Sequence, residues 1–244
     1  MKEIIYGIHS IENLLLTSPK RFIKVFISKN RKDYKIKKII NNFKKKNILI
    51  KFCDINYLNK IVNGVHQGII AEIYKLKKFK EINIYNIIKD VKKPFLLILD
   101  GITDPRNLGA CIRNAYATGV NLIIIPKNRS ARINSLVKKT SCGASENIPI
   151  INVVNLSKTL IFLKKINIII IGTTHKTNNL LFKTNLNIPI ALIFGSENNG
   201  LRKLTIKHCD KLINIPMKGN ITSLNVSVAT GIVLYEVIRQ RYFI

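Results

Sequence analysis

Residues 94–126 read PFLLILDGITDPRNLGACIRNAYATGVNLIIIP, and this stretch decides the fold class. Its two ends, PFLLILD and NLIIIP, are runs of strand length that are apolar on both faces. Between them, Asp104 followed by Pro105 predicts the start of a helix, and Gly119 predicts its end. A strand, a helix and a second strand in this order are typical of a parallel sheet that is covered by helices.

The rest of the C-terminal part repeats this pattern. Further apolar runs of strand length are INIIIIGTT (166–174), IPIALIFG (188–195) and KLINIP (211–216). Helical segments are expected at about 106–118, 134–141, 156–165, 201–207 and 223–241. Residues 94–244 are therefore predicted to form an α/β domain around a parallel sheet.

The N-terminal part also mixes helical and strand-like runs, but on a smaller scale. Helices are predicted at IHSIENLLL (8–16) and DYKIKKIINNFKKK (33–46). Strands are predicted at RFIKVFIS (21–28), ILIKFCD (48–54) and QGIIAEIY (67–74). Residues 1–74 are thus expected to form a small α/β domain. Residues 75–93 are rich in Lys and are expected to be a linker with one or two helical turns.

The net charge of +28 is the strongest feature of the composition. Residues 1–93 carry 22 Lys and Arg against 7 Asp and Glu, and residues 94–244 carry 19 against 6. Such an excess favours a polyanionic partner, most of all RNA. The chain is also crowded with Lys, Ile and Asn, so compositional drift remains a second explanation of the charge. Both explanations can hold together.

The sequence predicts neither a membrane anchor nor a metal site. No window reaches eighteen uncharged apolar residues, and no signal peptide is recognised, so a cytoplasmic location is expected. The four cysteines are widely spread and the four histidines form no metal-spaced pair, so we expect them to be structural or exposed. No dinucleotide-binding glycine fingerprint follows the first strand, and no Walker A motif is present.

Three polar clusters follow predicted strands, where ligands of open α/β sheets usually bind. The first contains Asn107 and Arg113, although Arg113 taken alone is better explained as a solvated arginine on an amphipathic helix. The second, GSENNG (195–200), contains Glu197, which taken alone is equally a turn residue in water. The third, NIPMKGNITSLNVSVATG (214–231), alternates small polar and apolar residues from Ser223 and then continues as a helix.

Together the clusters resemble the motifs of the SpoU/TrmH family of RNA ribose 2′-O-methyltransferases. The matching stretches are LDGITDPRNLGACIRNA, PKNRSARINSLVKKTSCGASENIPI, IFGSENNGLRKLT and INIPMKGNITSLNVSVATGIVLYE. In the N-terminal part, YGIHSIENLL and GVHQGIIAEI resemble the small RNA-binding domain of the branch that modifies 23S rRNA. The tRNA-modifying TrmH branch lacks this domain.

The resemblance implies a fold, a reaction and a set of site residues. It implies that the α/β domain carries a trefoil knot and that the protein is a homodimer with active sites at or near the dimer interface. It implies methylation of a guanosine ribose in the peptidyl-transferase region of 23S rRNA, with S-adenosylmethionine as cofactor and no metal. The implied cofactor-binding residues are Gly195, Ile215 and Leu224, and the implied catalytic residues are Arg113, Asn107, Glu197, Ser223 and Asn225.

Two departures and two alternatives remain open at this stage. Asn198 and Asn199 stand where relatives often carry Gly, Lys or Glu, which puts the flexibility of that loop in doubt. The alternatives are a tRNA ribose methyltransferase of the same family and a non-catalytic RNA-binding or ribosome-assembly protein. The presence of Asn107, Arg113, Glu197 and Asn225 argues against lost turnover.

Overall fold

The computed structural model describes residues 2–31, 33–74, 79–197, 199–221 and 223–243. The strands are β1 (Lys2–Tyr6), β2 (Phe22–Ser28), β3 (Ile50–Cys53), β4 (Ile69–Tyr74), β5 (Phe95–Asp100), β6 (Leu122–Pro126), β7 (Ile150–Val153), β8 (Ile169–Thr173), β9 (Ile190–Gly195) and β10 (Lys211–Ile213). The α-helices are α1 (Ile8–Thr17), α2 (Tyr34–Lys45), α3 (Ile55–Ile61), α4 (Ile84–Ile88), α5 (Pro105–Ala117), α6 (Ser135–Thr140), α7 (Leu156–Lys165), α8 (Lys203–His208) and α9 (Val226–Tyr242). Short 3-10 helices are formed by Pro19–Arg21, Glu81–Asn83, Ala144–Glu146 and Leu181–Lys183.

The chain divides into two compact units. Unit 1 comprises residues 1–77 and 133–147, and unit 2 comprises residues 78–132 and 148–244. The sequence had assigned all of 94–244 to one domain, whereas in the structure residues 133–147 pack with the N-terminal residues. The predicted division of the chain into a domain at 1–74, a linker at 75–93 and a domain at 94–244 remains a prediction.

Unit 1 is a four-stranded sheet with helices on both faces. Its strand order is β1-β4-β2-β3, in which β2 and β3 are parallel and β4 is antiparallel to both of its neighbours. Apolar residues of α1 and α2, including Leu14 and Phe43, pack on one face of the sheet. Leu58 of α3 packs with Phe26 and Ile70 on the other face. The prediction of a small α/β fold is confirmed.

A buried ring of four charges attaches residues 133–147 to the sheet of unit 1. Lys138 Nζ lies 2.7 Å from Glu3 Oε2 and 2.9 Å from Glu146 Oε1. Arg21 closes the ring through its two terminal nitrogens, which contact the same two carboxylates at 3.0 and 2.5 Å. Glu146 is the most deeply buried member, with a side chain that is 5% exposed. Each charge thus has two partners of opposite sign, which offsets the cost of removing it from water.

Unit 2 is built on a six-stranded sheet that is parallel throughout. The strand order is β10-β8-β9-β5-β6-β7. Every residue of β5 and β6 is buried, as the prediction from runs apolar on both faces requires. The helix between them also follows the prediction, because Asp104 accepts a hydrogen bond from Arg106 N (2.9 Å) and Gly119 ends the helix with a φ of +71°.

Four details of the fold differ from the prediction. Strands β1 and β7 and helix α3 were missed. The linker at 75–93 remains a prediction: its described part has the expected helical turns in Glu81–Asn83 and α4, and Ile84 and Ile88 of α4 belong to the core of unit 2, while residues 75–78 lie outside the described residues. The last helix begins at Val226 and not at Ser223, and Asn225 is its N-cap.

Long-range backbone hydrogen bonds connect loops in the C-terminal part of unit 2, where the knot is expected. The loop after β8 pairs with the segment after β10, since Leu181 N donates to Asn214 O (2.8 Å) and Asn214 N donates to Asn179 O (2.8 Å). These bonds join two segments of the C-terminal α/β domain that are more than 30 residues apart in the sequence. The knot itself remains a prediction.

Candidate functional site

The polar residues of unit 2 gather where the direction of strand addition reverses. Strand β5 lies between β9 and β6, and its C-terminal residue Asp100 is in register with Gly195 of β9. In open parallel sheets a crevice forms beyond the carboxyl ends of such strands, and ligands bind there. The loops after β5 and β9 therefore form the candidate site.

Asp100 is a buried carboxylate at the base of this site. Its side chain is fully buried; Oδ2 accepts a hydrogen bond from Thr205 Oγ1 (2.7 Å), and Oδ1 lies 3.3 Å from Arg202 Nε. The next residue, Gly101, has a φ of +88°, and a Cβ there would lie 3.4 Å from a guanidinium nitrogen of Arg202. This packing sets the direction in which the chain leaves β5 for α5. Asp100, Thr205 and Arg202 were not predicted as site residues, although a carboxylate at the end of an apolar run is a local signal for Asp100.

A chain of hydrogen bonds joins one residue from each of the three polar clusters. Asn107 Nδ2 donates to Glu197 Oε1 (2.8 Å), and Asn225 Nδ2 donates to Asn107 Oδ1 (3.1 Å). Asn225 Oδ1 in turn accepts from Ser227 N (2.9 Å) and Ser227 Oγ (2.6 Å), which caps α9. The contacts span 90 and 118 residues of sequence, so the fold brings together three of the predicted catalytic residues.

The loop after β9 is a tight turn that requires glycine. Ser196 and Gly200 exchange two backbone hydrogen bonds, of 3.1 and 2.9 Å. A Cβ on Gly195 would lie 2.0 Å from the carbonyl carbon of Gly200, and Gly200 itself has a φ of +62°. The turn leaves Glu197 exposed and directed to Asn107. The expected effect of Asn198 on this loop falls outside the described residues.

The segment before α9 offers unpaired peptide groups. Neither Ile215 nor Leu224 makes a backbone–backbone hydrogen bond to another residue in the described part of the chain. Both residues are half-buried, so these peptide groups lie near the surface and are available to a ligand. Such an arrangement fits an adenine ring, which needs both a donor and an acceptor at its edge. Ser223 is exposed, and the N-cap of α9 is Asn225.

Arg113 lies apart from the hydrogen-bonded chain. It is exposed on α5, and it makes no hydrogen bond or ion pair to any residue that the structure describes. Its guanidinium is therefore available to an external anion. Arg113 and Ser223 are the two predicted catalytic residues that the structure does not connect to Asn107, Glu197 and Asn225.

Contacts between helices α5 and α9 support the residues of the candidate site. Asn114 Nδ2 donates to Ser227 O (2.9 Å), and Cys111 Sγ lies 3.5 Å from Thr230 Oγ1. A Cβ on Gly231 would lie 3.2 Å from Asn114 Nδ2, so this helical glycine permits the close approach. Burial raises the pKa of the Cys111 thiol to about 12, so at neutral pH it is a protonated packing residue and not a nucleophile.

The N-terminal and C-terminal parts of the chain each match a family model. Residues 94–235 match the SpoU rRNA Methylase family, and residues 4–79 match RNA 2′-O ribose methyltransferase substrate binding. The chain belongs to the SpoU rRNA methylase family. The family resemblance that the motifs predicted is thus confirmed.

Relatives in this family match the chain over its full length. The 23S rRNA (guanosine-2′-O-)-methyltransferase RlmB of Pectobacterium atrosepticum is 47% identical over 242 residues, which cover 99% of both chains. The SpoU methyltransferase AviRb from Streptomyces viridochromogenes, solved in complex with AdoMet, superposes with a TM-score of 0.80 at 20% identity and covers 98% of this chain and 90% of its own. The fold prediction of a parallel-sheet α/β domain preceded by a small α/β domain is confirmed.

A tRNA-modifying member of the family matches only part of the chain. The A. aeolicus TrmH/SpoU tRNA modifying enzyme is 31% identical and has a TM-score of 0.56, and the match covers 62% of this chain and 76% of that enzyme. The difference in coverage is what the sequence analysis expected for a branch without the N-terminal domain.

Proposed function

We propose that the protein transfers the methyl group of S-adenosylmethionine to the ribose 2′-hydroxyl of a guanosine in the peptidyl-transferase region of 23S rRNA. The observation that carries this proposal is the match to RlmB over 99% of both chains, which includes both domains. A cytoplasmic location follows from this substrate. In the described part of the chain no helix is long and apolar enough to cross a membrane.

The cofactor-binding residues are assigned to the loops beyond β9 and β10. Gly195, Ile215 and Leu224 would hold the cofactor through their peptide groups, and the unpaired backbone of Ile215 and Leu224 supports this assignment. When bound, S-adenosylmethionine supplies a methyl group that is already activated by its sulfonium. The protein must then align a weakly acidic hydroxyl with that methyl group. It must also stabilise the negative charge that develops on the hydroxyl oxygen as the proton leaves.

Arg113 is assigned to the substrate. A guanidinium stays protonated at neutral pH, so it is suited to bind the phosphate next to the target ribose and to stabilise the developing alkoxide. Its exposure and its lack of an intramolecular partner among the described residues support this role. Asn107, Glu197, Asn225 and Ser223 are assigned to orienting the ribose, the cofactor and Arg113.

The proposal includes a homodimer. On α9 the large side chains of Val228, Tyr235 and Tyr242 are 51, 57 and 74% exposed and recur every seven residues, so they share one face of the helix. An exposed apolar face of this kind supports an interface with a second copy, which the family resemblance also implies. Sedimentation of the purified chain should give the mass of a dimer.

Methyl transfer is tested directly with labelled S-adenosylmethionine. The protein is incubated with undermodified 23S rRNA and, separately, with undermodified tRNA, and 2′-O-methylation is mapped. We expect one labelled guanosine in 23S rRNA. Labelled tRNA beside unlabelled rRNA would instead support the tRNA alternative, and RNA binding without any label would support a non-catalytic RNA-binding protein.

A further inference from the structure

Unit 1 contains a cavity of about 440 Å³ at one edge of its sheet. The cavity lies beyond the carboxyl ends of the parallel strands β2 and β3, between the first turns of α3 and the loop that leads into β4. This is the edge at which ligands of α/β sheets bind. Its volume is within the range of ligand-binding pockets, roughly 300 to 1,000 Å³.

The loop that closes the cavity is held in one conformation. Gln67 and Gly68 both have positive φ, of 54° and 72°, and Gln67 Oε1 accepts a hydrogen bond from Ile8 N (3.0 Å). A Cβ on Gly68 would lie 2.7 Å from Cγ of Arg31, so the loop packs closely against that side chain. Strained backbone that is held by its surroundings is frequent at binding sites.

His66 determines which atoms of Asn59 the cavity presents. The buried His66 accepts a hydrogen bond at Nδ1 from Gly68 N (3.0 Å), so its proton is on Nε2, which lies 2.8 Å from Asn59 Oδ1. The oxygen of the Asn59 amide is therefore occupied. Its Nδ2 donates to no atom of the residues described here, and this leaves two N–H donors for a ligand.

Arg31 adds further donors. Its Nε donates to Asp33 Oδ2 (2.6 Å) and its Nη1 donates to Gln67 O (2.8 Å). These two bonds fix the plane of the guanidinium, and Nη2 makes no hydrogen bond within the described ranges. The polar groups that Asn59 and Arg31 offer are thus donors only, which selects for a ligand whose edge carries acceptors.

The remaining lining residues are Ser28, Asn30, Gly64 and the apolar Ile55 and Val65. Ile55 and Val65 line the cavity and are 39 and 69% exposed. Lys29 and Lys60 are neighbours in sequence of the lining residues Ser28 and Asn59, and both are exposed. The apolar side chains of Ile55 and Val65 suit the faces of a nucleobase, and exposed lysines next in sequence to lining residues suit the phosphates on either side of it.

We propose that this cavity receives an unstacked base of the RNA substrate and selects one with an acceptor edge, guanine or uracil, over adenine. Adenine is disfavoured because its exocyclic amine is a donor that would meet the donors of Asn59 and Arg31. The inference rests on the proposed function, in that RNA is the substrate. It goes further by assigning a base-reading site to unit 1, whereas the proposed catalytic residues all belong to unit 2.

The proposal is tested with two short single-stranded RNAs, U10 and A10, and the full chain. Fluorescence anisotropy at fixed salt should show tighter binding of U10, by roughly tenfold for one base that is read through two hydrogen bonds. Asn59→Ala should remove the preference for U10 without changing the dependence on salt, because no charge is removed. Asn41→Ala, an exposed asparagine of α2 outside the cavity, is the matched control and should behave as the unmodified protein.

A cross-linking experiment locates the base. RNA that carries 4-thiouridine should cross-link to peptides within residues 55–68, and the cross-link should be lost when Val65→Trp fills the cavity. Equal affinity for U10 and A10, an unchanged preference in Asn59→Ala, or binding of free nucleotides without a cross-link to RNA would each overturn the proposal.

The tests of the cavity give a result that is independent of whether the protein transfers a methyl group. In the methylation assay, Asn59→Ala should raise KM for the RNA and leave kcat and S-adenosylmethionine binding unchanged. If the protein transfers no methyl group, the base preference and the cross-link still test the cavity. If methylation proceeds and the preference is absent, only the cavity proposal fails.

Discussion

At the scale of single residues, the site depends on side chains that donate one hydrogen bond and accept another. Asn107 donates to Glu197 and accepts from Asn225, and Asn225 donates to Asn107 while it caps α9. The amide of asparagine offers a donor and an acceptor on two neighbouring atoms of one small side chain. An aspartate at either position would lose a donor, and at position 107 it would place a carboxylate against Glu197.

Arg113→Ala tests the proposed role in the reaction. Because Arg113 is exposed and has no partner among the described residues, its removal should leave the thermal unfolding temperature unchanged. The rate of methyl transfer should fall by roughly 100-fold or more, since a positioned catalytic group contributes about that much. Arg106→Ala, on the same helix, is the control and should keep its activity. Near-normal turnover in Arg113→Ala would remove the assignment.

Gly195→Ala tests the turn after β9. The new Cβ would lie 2.0 Å from the carbonyl carbon of Gly200, so the turn must shift and carry Glu197 away from Asn107. We expect weaker binding of S-adenosylmethionine by calorimetry and a fall in turnover of roughly 100-fold. Gly219→Ala is a matched control, because a Cβ there meets no atom within 4 Å. A variant at 195 that binds the cofactor normally would contradict the proposed cradle.

At the scale of elements, the fold of unit 1 depends on a segment that comes from far along the chain. Helix α6 and the 3-10 helix Ala144–Glu146 contribute Lys138 and Glu146 to the charge ring with Glu3 and Arg21. The predicted helix at 134–141 is present, but its charged pattern alone gave no sign of the buried partners. Local sequence fixed the helix, and long-range charge pairing fixed what it packs against.

Glu146→Gln should destabilise unit 1. The substitution preserves the size of the side chain but leaves two buried cations with Glu3 as their only carboxylate partner. Breaking a buried ion pair from one side costs about 3–5 kcal/mol, and the free energy of unfolding in urea should fall by an amount of this order. Glu12→Gln, a partly exposed residue of α1, should change it little. Equal stability of the two variants would mean that the ring contributes no net stability.

At the scale of the whole molecule, a net charge of +28 should make RNA binding strongly dependent on salt. For single-stranded RNA, log K should fall with log salt by about 0.7 for each phosphate that is neutralised. The double variant Lys29→Gln/Lys60→Gln should reduce this slope by roughly one contact or more, because both lysines are exposed and adjoin the lining residues Ser28 and Asn59 in sequence. A flat salt response would favour compositional drift as the origin of the charge.

Much of the fold could be read from the sequence where local signals were strong. The apolar runs of β5 and β6, the Asp104–Pro105 cap and Gly119 each produce their effect within a few residues, so the α/β sheet and α5 were predictable. The helices and strands that the sequence did not predict are short or lie at the edge of a sheet. In β1 the first residues are charged, and in α3 only Leu58 is buried, so neither showed a periodic pattern.

The sequence by itself determined the parallel sheet, the family and the residue types of the site, because these depend on composition and short spacing. The tertiary structure alone decided which polar side chains meet. The pairing of Asn107 with residues 90 and 118 positions away, and of Glu146 with Arg21 across 125 positions, depends on the order in which strands enter the sheets. The tertiary structure also showed that Ser223 and Arg113 do not join the hydrogen-bonded chain of Glu197, Asn107 and Asn225. Such contacts form only when loop closure brings distant segments together, and no local pattern encodes them.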